Sequence, residues 1–276
     1  MIGSDRISDS DFARFCDFVY SRCGITLNDN KRDLVHSRLA KRLRSLGLEN
    51  YGDYFELLYA GRGNEQEIVN LLDAISTNVT YFFREDKHFN FLAQKVIPAL
   101  VAEPQVLGKK IRIWSAGCSS GEEPYSLAIT FAENMPIEQW DFRILATDLS
   151  TNVLEHARNG VYDRERMRNV SASLLKKYFT AGRDGRRYRV DAKLTALIKF
   201  TRLNLMLDFP FKGRFDCIFC RNVMIYFDRS TQADLVRKFS FFLKPGGCLM
   251  IGHSESLTNI KHDLLYIQPS LYRKKS

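Results

Sequence analysis

The sequence contains no apolar run that approaches the ~18 residues needed to span a lipid bilayer. It begins with MIGSDRISDSDF, a polar and acidic stretch from which we expect no secretory signal peptide. The six cysteines are therefore expected to be reduced thiols rather than disulfides. A hydrophobic content of 45% and a charged content of 26% are typical of a globular protein. These features predict a cytoplasmic protein without direct membrane insertion.

Patterns for metal binding and for nucleophilic catalysis are also scarce. Cys217 and Cys220 have CxxC spacing, but they lie in FDCIFC, which is typical of a β-strand. Two side chains three positions apart on a strand point to opposite faces, and no second Cys/His pair offers further ligands. No Ser/His/Asp or Cys/His nucleophilic set is evident. We therefore expect neither a metal site nor a catalytic triad.

The hydrophobic pattern divides the chain into two parts. Residues 1–75 show only helical periodicity, with a first helix predicted to end at Gly24. After about residue 108, short apolar runs alternate with helical stretches, which indicates a parallel sheet covered by helices on both faces. We predict a helical domain at 1–75, a linking segment at 76–107 and an α/β domain at 108–276.

Residues 161–197 interrupt the alternation of strands and helices. RRYRVDAKL has the pattern of a short β segment among helical stretches. We interpret this region as a small β subdomain inserted into the α/β domain.

A sheet of this kind binds ligands at the carboxyl ends of its strands. The first strand is followed by SAGCSSGEE, a small-residue turn that would suit a phosphate except for the negative charges of Glu122 and Glu123. Asp148 ends the next strand, where an acidic residue binds ribose hydroxyls, but the GxGxxG dinucleotide fingerprint is absent. A nucleoside with cationic groups, such as S-adenosylmethionine, fits this combination.

Other interpretations of these residues remain open. Ser120-Gly121-Glu122-Glu123 is also a possible capping box, so one of the two carboxylates has a structural role in that alternative. The stretch STNVTYFFREDKHF, at 76–89, is either a helix boundary with an aromatic staple or a segment folded over the cofactor. The small-residue turn, Asp148 and the LKPGG turn together predict a methyltransferase sheet.

Several stretches, in this order and at these separations, resemble the CheR family of chemotaxis receptor glutamate O-methyltransferases: STNVTYFFRE, WSAGCSSGEEPYS, ATDLS, FCRNVMIYF, LKPGG and GHSES. The resemblance covers about residues 10–273. It implies a Rossmann-like, S-adenosylmethionine-dependent methyltransferase sheet with an N-terminal helical domain and a small inserted β subdomain. It also implies methyl transfer to glutamates on the cytoplasmic helical domain of chemoreceptors, with S-adenosylhomocysteine as the product.

The resemblance implies roles for individual residues. Tyr226 would face the reacting centre, and Arg84 would hold the cofactor's carboxylate, so both are expected to be catalytic. Glu122 is favoured over Glu123 for the cofactor's ammonium group. The positions that match cofactor contacts of the family are Asn78, Thr80, Arg84, Gly117, Glu122, Asp148, Asn204, Leu205, Arg221 and Asn222.

A basic helix is the expected docking surface for the acidic receptor. The stretch KRDLVHSRLAKRLRS contains one acid against six basic residues and belongs to a chain of net charge +9. The candidate docking residues are Arg38, Lys41, Arg42 and Arg44. The hairpin AGRDGRRYRV is shorter than in family members that bind the receptor's C-terminal pentapeptide tether, so tether binding is not expected.

Two alternatives use the same features. A nucleic-acid methyltransferase would also use the positive charge, but Arg221-Asn222-Val223-Met224 lacks the prolines of an Asn/Asp-Pro-Pro-aromatic loop. A non-catalytic module that senses S-adenosylmethionine would have no need of Tyr226 or the basic helix. We therefore expect an enzyme that does not act on nucleic acid.

Overall fold

The computed structural model describes residues 7–60, 65–76, 78–102 and 110–275. The first described part contains helices and forms its own apolar core, which includes Phe15, Leu39 and Tyr54. Its helices are α1 (Asp9–Cys23), α2 (Arg32–Leu46), α3 (Tyr51–Tyr59) and α4 (Glu65–Ile75).

Helix α1 shows how local sequence sets these boundaries. The Ser8 side chain accepts a hydrogen bond from the Asp11 amide and so caps the first turn. Gly24 follows the last helical residue with φ +71°, a left-handed conformation that glycine adopts without strain. The prediction that this helix ends at Gly24 is confirmed.

A short helical segment leads into the α/β part. It comprises α5 (Lys87–Phe91), a π-helical turn at Leu92–Val96 and α6 (Ile97–Ala102). Residue 77 and residues 103–109 of the predicted linking segment lie outside the described residues.

The main sheet has the order β6-β2-β1-β7-β8-β10-β9, and its first five strands run parallel. Helices α7 (Glu122–Asn134), α8 (Thr151–Asn159) and α11 (Arg229–Phe242) belong to its crossover connections. The predicted α/β class is confirmed. The strands are β1 (Lys110–Ala116), β2 (Asp141–Asp148), β6 (Ile198–Arg202), β7 (Phe215–Cys220), β8 (Leu243–Ile251), β9 (Leu264–Gln268) and β10 (Leu271–Lys274).

Every residue of the central strand β7 is buried, because apolar clusters cover both faces of the sheet. Cys217 lies in one cluster and Cys220 in the other, as expected for opposite faces of a strand.

One edge of the sheet differs from the predicted parallel arrangement. Strands β9 and β10 pair antiparallel with each other, and β10 pairs antiparallel with β8. Only Pro269 and Ser270 join β9 to β10, which is too short for a parallel crossover. Ser270 has φ +64°, a value that suits a tight turn.

A second, three-stranded antiparallel sheet lies within residues 161–197. It consists of β3 (Val161–Asp163), β4 (Phe179–Ala181) and β5 (Arg187–Val190), accompanied by α9 (Ala172–Tyr178) and α10 (Ala192–Thr195). Phe82 packs against it, with ring centroids 5.0 Å from Tyr162 and 5.3 Å from Phe179. The segment that precedes α5 is therefore anchored to this small sheet.

The helical part contacts the main sheet beside the carboxyl ends of its strands. Ile25 forms an isolated antiparallel bridge with Phe227, and the Thr26 amide donates to the Tyr226 carbonyl at 2.8 Å. These contacts bring the start of α2 over the loop that follows β7. Within the described residues, no helix is long and apolar enough to cross a membrane.

Candidate active site

A cavity lies at the carboxyl ends of β1, β2, β6 and β7, and α2 and the 78–84 segment form its opposite wall. Most of the predicted site residues line it. Those that do are Arg38, Asn78, Thr80, Arg84, Gly117, Asp148, Asn204, Leu205, Arg221, Asn222 and Tyr226. The described lining also includes Lys31 and Glu123, but neither Glu122 nor Arg42.

The turn after β1 requires glycine for a steric reason. Gly117 has φ +78°, and a Cβ atom there would lie 2.3 Å from Val223 Cγ2. The Gly117 and Cys118 amides both donate to the Thr147 carbonyl, which fixes the turn against β2. The backbone of the turn is therefore free to line the cavity closely.

The two adjacent glutamates have different surroundings. Glu122 is fully buried, accepts a hydrogen bond from Ser120 Oγ and pairs with Arg166. Glu123 lines the cavity, accepts a 2.7 Å hydrogen bond from Ser115 Oγ and pairs with Arg221 at 2.9 Å. The possible capping box does not form, because no side chain caps α7 at Gly121. The geometry favours Glu123 over Glu122 for a ligand in the cavity.

Asp148 ends β2 with a buried carboxylate that borders the cavity. Its two oxygens accept hydrogen bonds from the Ser119 amide at 2.8 Å and the Ser150 amide at 3.0 Å. Burial raises the pKa of this carboxyl, and the backbone hydrogen bonds oppose the rise. Each oxygen retains acceptor capacity for a ligand hydroxyl.

Arg221 forms a buried ionic hub below the cavity. Its guanidinium pairs with Glu85 at 3.0 Å and with Glu123 at 2.9 Å, and it also donates to the Arg84 carbonyl. Arg221 lowers the pKa of the Glu85 carboxyl, although burial opposes this effect. Sequence reasoning missed Glu85, whose only local signal was an acid placed directly after Arg84 in an aromatic stretch.

The segment that contains Asn78, Thr80 and Arg84 folds across the cavity. Arg84 Nη1 donates to the Val79 carbonyl at 2.8 Å, which closes the segment into a loop. Non-glycine residues with positive φ follow, at 53° for Phe83 and 58° for Glu85. Such conformations persist where surrounding contacts hold them. Arg221 holds Glu85, and the Phe83 amide donates to Ser126 Oγ at 3.0 Å.

Asn204, Leu205 and Asn222 line the cavity after β6 and β7. The Asn204 side-chain amide donates to the Arg22 carbonyl at 2.6 Å, so this residue also joins the sheet to α1. Leu205 is buried and supplies an apolar wall. Asn222 has φ +59°, and its backbone amide donates to Glu255 Oε2 at 2.9 Å.

Tyr226 lies between the sheet and the helical part. Its side chain lines the cavity, and Lys31 Nζ lies 4.8 Å from its ring centroid. Arg38 lines the same cavity and donates to the Ile75 and Ser76 carbonyls. Burial lowers the pKa of the Arg38 guanidinium, while the nearby Tyr226 opposes the shift. Two cationic side chains therefore accompany Tyr226.

The four candidate docking residues on α2 have different environments. Arg42 pairs with Glu67, which also accepts a hydrogen bond from Tyr54 Oη at 2.7 Å. Arg38 faces the cavity, as described above. Lys41 and Arg44 are exposed, so these two present positive charge to solvent.

Within the described residues, one group of His and acid side chains approaches metal-ligand spacing: Glu85, His88 and His253, with ligand atoms within 4.8 Å of one another. The Arg221 guanidinium already occupies Glu85 Oε2 and would repel a cation there. We assign no metal to this group.

Two family models match this chain, and the residues they match correspond to the two parts of the structure. A family model described as "CheR methyltransferase, SAM binding domain" matches residues 78–271, and one described as "CheR methyltransferase, all-alpha domain" matches residues 10–76.

Individual relatives are similar over nearly the whole chain. A chemotaxis protein methyltransferase of Borreliella burgdorferi is 44% identical over 274 residues, which covers 97% of this chain and 95% of that protein. Its counterpart in Salmonella typhimurium is 41% identical over 257 residues, covering 92% of this chain and 86% of that protein. A solved geranyl diphosphate C-methyltransferase from Streptomyces coelicolor is more distant, at 18% identity and a TM-score of 0.34 over 60% of this chain and 44% of that one.

Proposed function

The chain belongs to the CheR methyltransferase family and is an S-adenosylmethionine-dependent methyltransferase, and we propose that it methylates glutamate side chains on chemoreceptors during chemotactic adaptation. The resemblance inferred from the sequence motifs is confirmed, and the nucleic-acid alternative is not favoured. The products of the proposed reaction are a glutamate methyl ester and S-adenosylhomocysteine.

One observation carries the proposal. A single cavity has carboxylates at one part of its wall, Asp148 and Glu123, and cations beside Tyr226 at another, Lys31 and Arg38. The first pair suits a cationic nucleoside, and the second suits an anionic acceptor. The arrangement therefore favours transfer from a positively charged donor to a carboxylate.

The residues present fit the cofactor. We propose that Asp148 accepts hydrogen bonds from the ribose hydroxyls and that Glu123 pairs with the ammonium group. Gly117 allows close backbone approach, because any side chain there would meet Val223. When bound, S-adenosylmethionine supplies an activated methyl group.

The remaining cofactor contacts come from both sides of the cavity. Asn78, Thr80 and Arg84 would cover the methionine end, where the Arg84 guanidinium would meet the cofactor's carboxylate. Asn204 and Leu205 would line the part of the cavity that holds the adenine. Arg221 and Asn222 form the floor, and Arg221 also orients Glu123 by direct pairing.

The acceptor side needs orientation rather than a base. A glutamate carboxylate has a pKa near 4.3 and is ionised at neutral pH, so no residue of the chain has to remove a proton. Tyr226 lines the cavity, and its hydroxyl would donate a hydrogen bond to the arriving carboxylate. Its role would be to hold the acceptor in a reactive alignment.

We propose that exposed positive charge on α2 guides the enzyme to an acidic helical receptor domain. Lys41 and Arg44 carry this role, since Arg42 pairs with Glu67 and Arg38 lies at the cavity. We do not propose binding of a receptor tether, because only residues 182–186 join β4 to β5.

Incubation with methyl-labelled S-adenosylmethionine and a receptor cytoplasmic fragment tests the proposal. We expect label to enter the fragment and to be released by mild base as methanol, which identifies a carboxyl ester. Label that resists base, or that enters nucleic acid instead, would contradict the proposed function.

A further inference from the structure

Apolar side chains at the cavity wall face solvent. Leu34 is 40% exposed, Val79 is 74% exposed and Ile225 is 48% exposed, and all three line the cavity. Scattered exposed aliphatic residues are ordinary, but a group of them around a site is typical of an interaction surface. We term Leu34, Val79 and Ile225 the apolar rim.

Lys31, at the start of α2, contacts the loop after β7 that contains Ile225. Lys31 precedes Leu34 by three residues, so the two side chains lie on one side of the helix start. Lys31 Nζ lies 4.8 Å from the ring centroid of Tyr226, the chain neighbour of Ile225. Leu34 therefore lies one turn along the helix from the residue that contacts Tyr226.

The other end of the same helix face contacts the chain just before the 78–84 segment. Arg38 follows Leu34 by four residues and shares its face. Arg38 Nη1 donates to the Ser76 carbonyl at 3.2 Å, three residues before Val79. Leu34 thus has one cation on either side of it along the helix, and it lines the same cavity as Val79 and Ile225.

We infer that the apolar rim selects the acceptor by binding aliphatic side chains that flank the acceptor glutamate by one turn on the same face of an amphipathic receptor helix. This inference rests on the proposed function. Neighbours at i±3 and i±4 on a helix lie about 5–6 Å from the acceptor position, so they stay at the mouth when the glutamate enters.

Charge complementarity identifies the occupant. The cavity offers Lys31 and Arg38 to a carboxylate, while Leu34 between them offers only apolar contact. A uniformly acidic surface would place charged groups against the apolar rim and desolvate them without partners. A helix with an acidic residue and aliphatic neighbours on one face satisfies both kinds of surface.

The apolar rim and the exposed cations of α2 act over different ranges. Attraction by Lys41 and Arg44 is screened by salt, whereas apolar contact depends on area removed from water and is not. Salt therefore separates the two contributions in one experiment.

Leu34→Ser and Ile225→Ser test the inference in the labelled-methyl assay with a receptor cytoplasmic fragment. Each change is expected to raise KM for the fragment about fivefold, because part of one aliphatic contact is lost. kcat and the Kd for S-adenosylhomocysteine should stay unchanged, and the KM ratio to wild type should persist at about 0.5 M salt. Leu265→Ser is the matched control, since Leu265 is 45% exposed on β9 and does not line the cavity.

A complementary change on the receptor completes the test. Replacing the aliphatic residue one turn from the acceptor glutamate by serine should raise KM for wild type but add little to Leu34→Ser, because the two changes remove the same contact. Unchanged KM in both enzyme variants, or an equal rise in Leu265→Ser, would overturn the inference and leave the proposed function standing. If wild type itself fails to methylate the receptor fragment, the proposed function fails instead.

Discussion

Glu122 and Glu123 show how adjacent residues acquire different roles. Both begin α7, where carboxylates favour the positive end of the helix dipole. The helix turns their side chains by about 100°, so the buried Glu122 pairs with the partly exposed Arg166 and Glu123 lines the cavity. Neighbouring carboxylates can thus serve structure and ligand binding separately.

Glu123→Gln is expected to raise the Kd for S-adenosylhomocysteine at least about tenfold, since hydrogen bonds to charged groups contribute about 1.5–3 kcal/mol. Glu122→Gln is the matched variant and should leave that Kd within about twofold while lowering the free energy of unfolding, because Arg166 loses its partner. Calorimetry and denaturant unfolding measure the two effects. A larger rise of Kd in Glu122→Gln than in Glu123→Gln would show that Glu122, not Glu123, contacts the cofactor.

Tyr226→Phe removes one hydroxyl from the cavity wall and keeps the ring beside Lys31. The Kd for S-adenosylhomocysteine should stay nearly constant, and kcat should fall about tenfold or more, because a group that aligns the acceptor is lost. Single-turnover rates of methyl transfer check this. A variant with wild-type turnover would remove Tyr226 from the proposed mechanism.

His88 predicts acid sensitivity of the fold. It is buried, neither ring nitrogen has a hydrogen-bond partner among the described residues, and burial lowers its pKa from 6.5 to about 3. In the unfolded chain His88 binds a proton near pH 6.5, whereas in the folded chain it stays neutral until about pH 3. The free energy of unfolding therefore falls as pH drops from about 6.5 toward 3.

His88→Phe should reduce the loss of unfolding free energy between about pH 7 and about pH 5 by roughly 2 kcal/mol, because a shift of one pKa unit corresponds to about 1.4 kcal/mol. Denaturant unfolding at the two pH values measures the difference. An unchanged pH dependence would show that His88 is not the titrating group.

The N-terminus of helix α11 forms hydrogen bonds both within its own helix and to helix α1. The Asp228 carboxylate accepts a hydrogen bond from the Thr231 amide at 2.8 Å and another from Tyr20 Oη at 2.7 Å. These bonds lower the pKa of the Asp228 carboxyl well below its usual range. One residue therefore caps α11 and holds α1 beside it.

Asp228→Ala is expected to lower the free energy of unfolding by about 1 kcal/mol at neutral pH, the usual effect of losing an N-cap. Because the folded pKa of Asp228 is depressed, its contribution is present above the unfolded pKa and is lost as pH falls below it. The variant should therefore approach wild type in acid. Asp234→Ala, on an exposed turn of the same helix, is the control and should show no such loss at neutral pH.

In the whole molecule, the active-site cavity belongs to the helical part and to the sheet together. Lys31, Leu34 and Arg38 come from the former, and Asp148 and Tyr226 come from the latter. Asp73 at the end of α4 accepts hydrogen bonds from the Thr151 amide at 2.9 Å and the Thr151 hydroxyl at 2.7 Å. One part thus accepts hydrogen bonds from the first residue of helix α8 in the other, directly after its N-cap Ser150 and the loop that follows Asp148.

Asp73→Ala should weaken this junction. We expect a loss of about 1 kcal/mol of unfolding free energy, typical of a lost hydrogen bond, and an increase of a few-fold in the Kd for S-adenosylhomocysteine, because the loop after Asp148 loses its support. Thermal unfolding and calorimetry measure these effects. Glu155→Ala, an exposed change on the same helix α8, should alter neither, and equal effects in both variants would contradict the role of the junction.

Much of the architecture could be predicted from local patterns in the sequence. Alternation of apolar runs and helical stretches predicted the parallel strands, because residues buried on both faces of a sheet must be apolar. Gly24 predicted a helix end through its own conformational freedom. Motif positions also identified most of the cavity lining, including Asp148 and Tyr226, since strand ends converge at one edge of a parallel sheet.

Partnerships between distant residues had no such signal. Glu85 belongs to the Arg221 hub because folding brings Arg221 against it, and the charge of Arg42 is paired because Glu67 lies across from it. The choice between Glu122 and Glu123 depended likewise on where Arg166 and Arg221 stand. Charge and periodicity are properties of a short stretch, whereas the partner of a charge is set by packing of elements far apart in the chain, and so the tertiary structure decided these assignments.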